Sequence, residues 1–373
     1  MENLKNFQII IIGAGLSGLT LAREICSRSN YKILILEKKK KLQYDKNWCF
    51  WSRPKNPFTN IYDNSWEKIS VVINGEERIF QDSEIKYLHI KSTSFYEKLI
   101  KDLKKKKVEI KMNQKIENIF FENDLKIIKS NKTFYKSKIV FDSRPMEYDK
   151  NKNLLFQHFY GAEISFEKPC IDKNKIVLMD FQKFNDGINF FYILPFSSKK
   201  GLFETTYFST KILNDKDYKL DIRNYLKKKF PNFKYKFKFK EKGIIPMFDN
   251  KNNEKNLIQI GTPGNWVRAS TGYAFQNSFV NAKHITDQLL KNKKFNISKN
   301  KKIKFLDKIF CYYIANYSSD SQNFFKCFFY NNNFKDIVSF LVGNINFFKI
   351  VSIVFSLPKK KLFYSMFKSL TNN

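Results

Sequence analysis

Short apolar runs rich in β-branched residues mark the first part of the chain and its return near residue 260. They occupy residues 8–13, 31–39, 136–145 and 256–265. Continuous runs of this length are typical of strands buried on both faces of a parallel sheet. Residues 92–104 predict a helix. We therefore expect an α/β domain built from two separate segments.

The pattern of apolar and polar residues changes in the middle of the chain. Polar turns there separate apolar stretches, and the helical pattern at residues 219–229 is the main candidate helix. The stretches predict an antiparallel sheet and are KIVLMDF, NFFYILPF, GLFETTYFS and KFKFKEKGIIP. Earlier in the chain, Asn74-Gly75 between two apolar runs predicts a hairpin.

The last region is helical, basic and rich in Phe. Residues 337–357 form an apolar stretch of about 20 residues, long enough to span a bilayer. Lys349 lies near its centre, and a central Lys costs ~2.5–3.5 kcal/mol on insertion scales. We therefore predict core or interfacial helices. The lysines at 359–361 and Lys368, beside Phe residues, suit a membrane surface.

These patterns give a predicted domain organisation of the α/β class. A Rossmann-like dinucleotide-binding domain comprises residues 1–150 and 255–300. An antiparallel substrate domain, residues 151–254, is inserted into it. A helical C-terminal region, residues 301–373, follows.

The strongest chemical signal is the glycine triplet Gly13, Gly15 and Gly18 between the first strand and a helix. In this spacing the first Gly permits a tight turn, the second lets a pyrophosphate approach, and the third lets helix and strand pack closely. Glu37 ends the second strand and predicts an acceptor for ribose hydroxyls. Asp142 ends a later strand at the same predicted sheet edge, where such folds bind ligands.

A cluster of Trp and Phe follows this opening. Residues 38–70 predict a long loop over the cofactor, and Trp48, Phe50 and Trp51 within it have an alternative role as plain packing residues. Cys49 is interpreted as a packed residue in preference to a reactive thiol.

The positive net charge of the chain bears on its possible binding partners. The chain has 373 residues and a net charge of +33, yet only seven of its 68 basic residues are Arg. Nucleic-acid readers favour Arg for bidentate contacts, so nucleic acid is not expected. A/T-rich codon bias on a solvated surface is favoured, and attraction to an anionic membrane surface is compatible with it.

The positions of the Cys and His residues argue against a disulfide-rich or metal-binding protein. The five Cys form no Cys-x-x-Cys pair, which argues against a zinc ribbon and a disulfide scaffold and favours a reducing compartment. The three His form no metal-ligand set, so no metal is expected, and His158 is interpreted as structural. No secretory signal is expected at the N-terminus.

Several motifs together resemble the FAD-dependent lycopene cyclases of carotenoid synthesis, of the bacterial type, over residues 8–285. They are NWCFW, VFDSRP, FQHFYGAEISF, VLMDF, NDGINFFYILPFS, GLFETTYFS, GIIPMF and IGTPGNWVRASTGYAF. Two positions depart from the family pattern: Asn265 stands where a second Gly is frequent, and Pro145 stands where a Gly often follows Arg.

The resemblance implies FAD, active when reduced and with NADPH as the reductant. It implies that a proton starts ring closure on lycopene or another linear carotenoid, with no net redox change. The implied location is cytoplasmic, at the inner face of a membrane. The expected cofactor-binding residues are Gly13, Ala14, Gly15, Gly18, Glu37, Asp142, Gly261, Thr271 and Gly272.

Glu204 is the predicted acid, or the residue that holds the acid in place. In GLFETTYFS, strand alternation puts Leu202, Glu204 and Thr206 on one face. Desolvation in so apolar a strand should raise the pKa of this carboxyl group and leave more of it protonated near neutral pH. The resemblance also places the family's essential acid in this motif. Asp180 and Asp186 are weaker candidates. Phe190, Phe191, Tyr192, Tyr207 and Tyr273 are candidates to stabilise a cation, while ordinary core packing is favoured for any single one of them because 17% of the residues are aromatic.

Two alternatives stay open on the sequence. Another flavoenzyme, of the monooxygenase or geranylgeranyl reductase type, would share the glycine triplet but usually carries Gly-Asp-Ala where this chain has Gly261-Thr262-Pro263-Gly264. A non-catalytic prenyl-binding carrier of the same fold would purify without tightly bound flavin.

Overall fold

The computed structural model describes residues 4–52, 61–106, 108–148, 153–250, 257–296 and 300–371. The strands, in chain order, are β1 Leu4–Asn6, β2 Ile9–Ile12, β3 Ile33–Leu36, β4 Asn47–Ser52, β5 Asn64–Trp66, β6 Lys68–Ile73, β7 Glu76–Gln81, β8 Lys86–Lys91, β9 Glu109–Lys111, β10 Ile116–Glu122, β11 Leu125–Ser130, β12 Thr133–Ser137, β13 Ile139–Asp142, β14 Phe156–Phe166, β15 Lys175–Gln182, β16 Gly187–Ser197, β17 Lys200–Ser209, β18 Tyr235–Pro246 and β19 Ile258–Gln259. The helices are α1 Leu16–Arg28, α2 Ser92–Lys105, α3 Asp215–Lys229, α4 Phe275–Leu290, α5 Lys301–Asn316, α6 Ser321–Tyr330, α7 Phe334–Leu341, α8 Phe347–Ser356 and α9 Lys359–Thr371.

The predicted apolar strands form a parallel sheet. Its order is β19-β13-β2-β3-β9, and every neighbouring pair is parallel. All four residues of β2 and of β3 are buried, as expected for strands covered on both faces. Helices α1, α2 and α4 contribute to the apolar core against this sheet. The Rossmann-like prediction is confirmed.

The middle of the chain forms a seven-stranded sheet of order β18-β14-β17-β16-β15-β6-β7. The predicted antiparallel pairing is confirmed for β14 to β18, while β15 pairs with β6 in parallel. The predicted hairpin is also present, as β6–β7. It corrects the proposed boundary near residue 150, because Lys68–Gln81 joins the sheet assigned to 151–254. Burial of Ile69, Val71 and Ile73 accompanies this pairing.

Helices cover both faces of the seven-stranded sheet. Helix α3 packs Tyr218 and Tyr225 against one face, beside Phe191 and Phe203. The C-terminal helices pack against the other face, where Phe328 of α6 belongs to the same core as residues of β15, β16 and β17. A cavity remains between the sheet and these C-terminal helices.

The apolar stretch at 337–357 is divided between α7 and α8, with Gly343 in a left-handed conformation between them (φ +74°). Among the described residues, no helix is both long and apolar enough to cross a bilayer.

One prediction for the segment after Glu37 is wrong. Residues 47–52 are not loop but strand β4, paired with β8. The aromatic side chains explain the difference: Phe50 stacks on Phe275 at 4.5 Å between ring centroids, and Trp51 is buried. Burial of successive aromatics favours a strand. Residues 53–60 of the predicted loop lie outside the described residues.

Candidate functional site

The glycine turn has the geometry that a pyrophosphate requires. Gly13 has φ +100°, and a Cβ on Gly18 would collide with its carbonyl oxygen. A Cβ on Gly15 would instead meet open space, and among the described residues no side chain caps the N-terminus of α1. The first N–H groups of α1 therefore remain available for an anion.

Glu37 lies beside this turn. Its carboxylate is buried and accepts hydrogen bonds from the backbone N–H groups of Ala14 (2.7 Å) and Lys39 (2.9 Å). These bonds fix the carboxylate at the ends of β2 and β3. Each oxygen retains a second lone pair, so the group can also accept from ribose hydroxyls.

Two further predicted positions lie at the same sheet edge. Asp142 is buried and bound by the Arg144 guanidinium at 2.6–3.0 Å, so its charge is already paired. Gly261 is left-handed (φ +67°) and packs against Ser17. Asp142 thus orders the loop after its strand, whereas Gly261 lets the next turn approach the glycine motif.

Together these residues fit a dinucleotide. The open space at Gly15, the uncapped start of α1 and the fixed Glu37 carboxylate supply a phosphate cradle and a ribose acceptor. Thr271 and Gly272 lie farther along, in the wall of the cavity described next.

The cavity has a volume of about 360 Å³, which is within the range of small-molecule sites. The seven-stranded sheet forms its floor through Leu202, Glu204 and Thr206, as predicted from strand alternation. The segment Ser270–Phe275 and helix α6 form the opposite walls. The cavity therefore extends between the predicted cofactor domain and the predicted acid.

Two carboxyl groups share the cavity floor. Glu204 on β17 and Glu241 on β18 both pair with Gly161, which lies on β14 between them. The glycine leaves room: a Cβ on Gly161 would lie 3.3 Å from Glu241 Oε1 and 3.2 Å from Leu202 Cδ1. Both carboxyl groups are buried.

Burial raises both pKa values. Desolvation and the charge of Glu241 raise the pKa of Glu204 to about 8, opposed by the hydroxyl of Thr206, which donates to Oε1 at 2.7 Å. Desolvation raises the pKa of Glu241 to about 7, opposed by hydrogen bonds from Asn47. Burial therefore favours the protonated form of Glu204, which is the form that a proton donor needs.

A buried polar chain holds Glu241. The backbone and side-chain N–H groups of Asn47 donate to its two oxygens, each at 2.9 Å. The Asn47 carbonyl oxygen is 2.7 Å from His89 Nε2, and Asn64 Nδ2 is 3.0 Å from His89 Nδ1. Desolvation lowers the pKa of His89 to about 3, so the ring is neutral. With the Asn64 NH₂ group donating to Nδ1 and the Asn47 carbonyl oxygen accepting from Nε2–H, the Nε2–H tautomer satisfies both contacts of the ring.

The other sequence candidates separate into two groups. Phe190, Tyr192 and Tyr273 line the cavity, whereas Phe191 and Tyr207 pack toward α3 on the opposite face. Strand alternation explains the division within β16 and β17.

Neither weaker acid candidate lines the cavity. Asp180 is buried toward α3, where it accepts from Tyr225 at 2.7 Å and pairs with Lys229 at 3.1 Å. Asp186 is exposed in the turn before Gly187. Neither position brings a carboxyl group to Glu204.

Two other sequence interpretations can be placed. His158 is buried between Tyr218 and Ser209, at 2.6 and 2.8 Å, which confirms the structural interpretation. Cys49 lines the cavity, and burial raises the pKa of its thiol far above the usual value, which supports its interpretation as a packed residue.

A second cavity of about 230 Å³ adjoins the first. The two share Ser270, Thr271, Phe325, Phe328 and Leu341 as lining residues. The remaining lining residues of the second cavity come mainly from α5, α8 and α9 and are almost all apolar.

The second cavity reaches an exposed aromatic patch on α8 and α9. Phe355 and Phe363 line it and are 60% and 53% exposed. We group with these two, as the aromatic patch, the other exposed aromatic residues of α8 and α9, which are Phe347, Phe348, Tyr364 and Phe367. Phe348 is 83% exposed. Soluble surfaces rarely expose so many large apolar side chains on two successive helices.

Sequence reasoning missed Glu241 and Asn47. A signal for Glu241 was present: in KFKFKEK the glutamate follows the phase of Phe237 and Phe239, which are partly buried, and not that of the exposed lysines. Asn47 carried no such signal, because its contact with Glu241 joins residues 194 positions apart.

The departure from the family pattern at Asn265 has a structural explanation. Its backbone is left-handed (φ +58°), a conformation that suits Gly and that Asn tolerates better than most residues. Its amide also bonds both backbone groups of Asn250, at 2.7 and 3.0 Å.

Comparison with known proteins gives a family and a fold. A family model described as "Lycopene cyclase protein" matches residues 8–365. A chloroplastic neoxanthin synthase from Solanum lycopersicum is 24% identical over 322 residues, which are 78% of this chain and 61% of that protein. The chain spans about three fifths of the length of the curated relatives it matches.

Solved structures share the fold. A geranylgeranyl bacteriochlorophyll reductase-like protein from Thermoplasma acidophilum aligns with a TM-score of 0.70 and 13% identity, over 97% of this chain and 98% of that one. A flavoprotein/dehydrogenase from Cytophaga hutchinsonii aligns with a TM-score of 0.63 and 14% identity, over 91% and 93%.

Proposed function

Because the chain belongs to the lycopene cyclase family, we propose that it is a lycopene β-cyclase that closes β-rings on the ends of a linear carotenoid. One observation carries the proposal: the buried carboxyl group of Glu204, whose pKa burial raises, lines a cavity that is walled largely by aromatic and aliphatic side chains. Protonating an alkene requires an acid in a site without competing water.

The proposed cofactor is FAD, with NADPH as the source of electrons. The α1 N-terminus at Gly15 would hold the pyrophosphate and Glu37 the ribose. Bound reduced flavin would supply negative charge that stabilises a nearby cation. Gly261 and Gly272 both have a left-handed backbone. The backbone at Gly261 lies close to Ser17, and the backbone at Gly272 lies close to Gln157.

The residues of the chain perform the proton chemistry. Glu204 donates its proton to the terminal double bond, and the neighbouring double bond closes the ring onto the cation that forms. Phe190, Tyr192 and Tyr273 present aromatic rings to the same cavity, where cation–π attraction stabilises positive charge. Burial raises the pKa values of Tyr192 and Tyr273, so both remain neutral.

The substrate also requires an apolar route. The two adjoining cavities lead from Glu204 to the aromatic patch, where Phe355 and Phe363 are exposed. Lys359 lies at the same opening. Exposed aromatics beside lysines suit the surface of an anionic bilayer, so we propose that the carotenoid enters there from a membrane.

The direct test is expression in a bacterium that accumulates lycopene, followed by pigment chromatography and mass spectrometry. We expect cyclic carotenoids with the same mass as lycopene, since cyclisation moves protons without adding or removing atoms. Unchanged lycopene would contradict the proposal, provided that the protein is soluble and yellow.

The same test separates the alternatives. The fold shared with the reductase-like protein keeps a flavin-dependent reductase as the second candidate. A reductase would add two mass units for each double bond, and a monooxygenase would add oxygen. A carrier would extract lycopene without altering it.

The aromatic patch gives a measurable prediction. We expect wild-type protein to bind liposomes that contain anionic lipid, and salt to weaken the binding. Phe348→Asp should reduce partitioning about tenfold or more, because burying a Phe contributes ~1.5–3 kcal/mol. Phe121→Asp, at an exposed Phe on β10, is the matched control. Sedimentation with liposomes measures both. Equal binding of the two variants, unaffected by lipid charge and salt, would contradict a membrane-facing patch.

A further inference from the structure

We propose that Glu241 is the base of the reaction, accepting the proton that the closed ring loses, while Asn47 and His89 act as positioning residues that hold Glu241 ready for it. This inference rests on the proposed cyclase function. It divides the work between two carboxyl groups: Glu204 gives a proton, and Glu241 takes one.

The location of Glu241 supports this role. Glu241 and Glu204 lie in the same row of the sheet. Gly161 on β14 is between them, with Glu204 on the neighbouring strand to one side and Glu241 on the neighbouring strand to the other. Both side chains line the same cavity. The Glu241 carboxyl group leans over Gly161, because Oε1 lies 3.3 Å from where a Cβ on that residue would be. A substrate end group above this row can therefore contact both carboxyl groups.

The hydrogen bonds assign the two roles. Glu241 accepts from two N–H groups of Asn47, one on each oxygen. Within the part of the chain that the structure describes, Glu204 accepts one bond, from the Thr206 hydroxyl. Donors that point at a carboxylate stabilise its charged form, so the shared proton resides on Glu204 and the negative charge on Glu241.

The neutral His89 ring fixes which end of the Asn47 amide points at Glu241. Nε2–H donates to the Asn47 carbonyl oxygen, which turns the Asn47 NH₂ group toward Glu241. Asn64 donates to Nδ1 and fixes the ring. Among the described residues, two further charges act on these carboxyl groups: Lys46 and Asp45, both just before Asn47 on the chain. Lys46 favours the ionised carboxylates, and Asp45 opposes ionisation of Glu241.

The proton balance closes without a redox partner. The O–H bond of Glu204 breaks as a C–H bond forms on the terminal double bond. A C–C bond closes the ring and moves the cation to the adjacent ring carbon. A C–H bond on the carbon beside that cation then breaks, its electrons form the ring double bond, and the proton passes to Glu241. Transfer of that proton to Glu204 restores the starting state.

The pH profile provides one test. In the wild type, kcat/KM should rise as Glu241 ionises near pH 7 and fall as Glu204 loses its proton near pH 8. Asn47→Ala removes one donor to the carboxylate, so the pKa of Glu241 should increase and the rising limb should move to higher pH. A merely structural role of Asn47 would lower the rate equally at every pH.

The product ratio provides a second test. Glu241→Gln should lower β-ring formation roughly 10²-fold, the low end for an acid or base. The residual products should shift toward rings whose double bond lies elsewhere, since the cation then loses a different proton. Glu163→Gln is the matched control, because Glu163 is a buried carboxyl on β14 that pairs with Lys200 at 2.8 Å and does not line the cavity. It should keep wild-type rate and products.

The outcomes separate this inference from the proposed function. If wild-type protein does not cyclise lycopene, the proposed function fails. If the wild type does so and Glu241→Gln, folded and flavin-loaded, forms β-rings at a near wild-type rate, Glu241 is not the base. A uniform loss of activity with unchanged product ratio and unchanged pH limbs also contradicts the assignment.

Discussion

Glu204→Gln is expected to leave lycopene uncyclised in a protein that still folds and binds flavin. The substitution keeps the size of the side chain and an acceptor for the Thr206 hydroxyl, but it removes the acidic proton. Loss of a general acid typically costs 10²–10⁴-fold. We expect a loss of about 10³-fold or more, since Glu204 is the protonated group that faces the cavity. Chromatography of pigments from a lycopene-accumulating host measures it.

The stability of this variant should change in the opposite direction. The pKa of Glu204 is raised from 4.5 to about 8 in the folded protein. Between these values the folded state binds more protons than the unfolded chain, so stability falls as pH rises through this window. Gln carries no such penalty. We therefore expect Glu204→Gln to have a higher Tm than the wild type at pH 8–9.

This pair of measurements distinguishes a catalytic group from a structural one. A damaged sheet would lower both activity and Tm, whereas removal of a buried acid should lower activity alone. Glu163→Gln, with its carboxyl outside the cavity, should change activity little. Near wild-type cyclisation by Glu204→Gln would refute its role as the acid.

The position of Glu204 could be predicted from the sequence because the information is local. Alternation within GLFETTYFS places Glu204 with Leu202 and Thr206, and the structure confirms that all three line the cavity. The glycine turn is local in the same sense, since its spacing alone implies the close approach of Gly18 to Gly13.

The rest of the site depends on contacts that no local pattern contains. Asn47 meets Glu241 because β4 comes to the side of the seven-stranded sheet where β18 lies. Residues 47–52 are a strand, where the Trp-rich and Phe-rich sequence had indicated a loop, because they pair with β8, which lies about 40 positions farther along the chain. Asp180 shows the converse: its strand was predicted, but a bulge against β16 and the contacts with Tyr225 and Lys229 direct it to the α3 face.

The C-terminal region lies between these cases. Its helical character follows from sequence, but the sequence alone does not show which Phe residues are buried. Phe328 packs into the core, and Phe348 lies on the surface.

Arg268 connects the segment that walls the cavity to the C-terminal helices. It is buried, pairs with Asp307 at 2.9 Å, and donates to the carbonyl oxygens of Phe340 and Leu341. The helices are thereby fixed against the segment that walls the cavity.

Gly15→Asp is expected to abolish flavin binding while leaving the fold intact. A side chain here enters the open space beside the start of α1, and its charge would repel the pyrophosphate. The protein itself should accept Asp, because Gly15 has φ −82° and ψ −169°, an extended conformation open to any residue. Absorbance of the purified protein at flavin wavelengths, relative to 280 nm, measures the occupancy.

The helix gives this prediction an internal control. Gly15 occupies the N-cap of α1, which has no side-chain cap, and Asp is among the best N-cap residues. An Asp cap contributes about a few tenths of a kcal/mol relative to Gly, so the flavin-free variant should melt at or slightly above the temperature of flavin-free wild type. Gly18→Ala should instead destabilise the fold, because the Cβ of the alanine would collide with the Gly13 carbonyl oxygen.

Glu37→Ala should weaken flavin binding without abolishing it, since one ribose acceptor is lost. A Gly15→Asp protein that purifies yellow with normal occupancy would show that the pyrophosphate does not lie on α1, and the cofactor would then have to be placed elsewhere on the sheet.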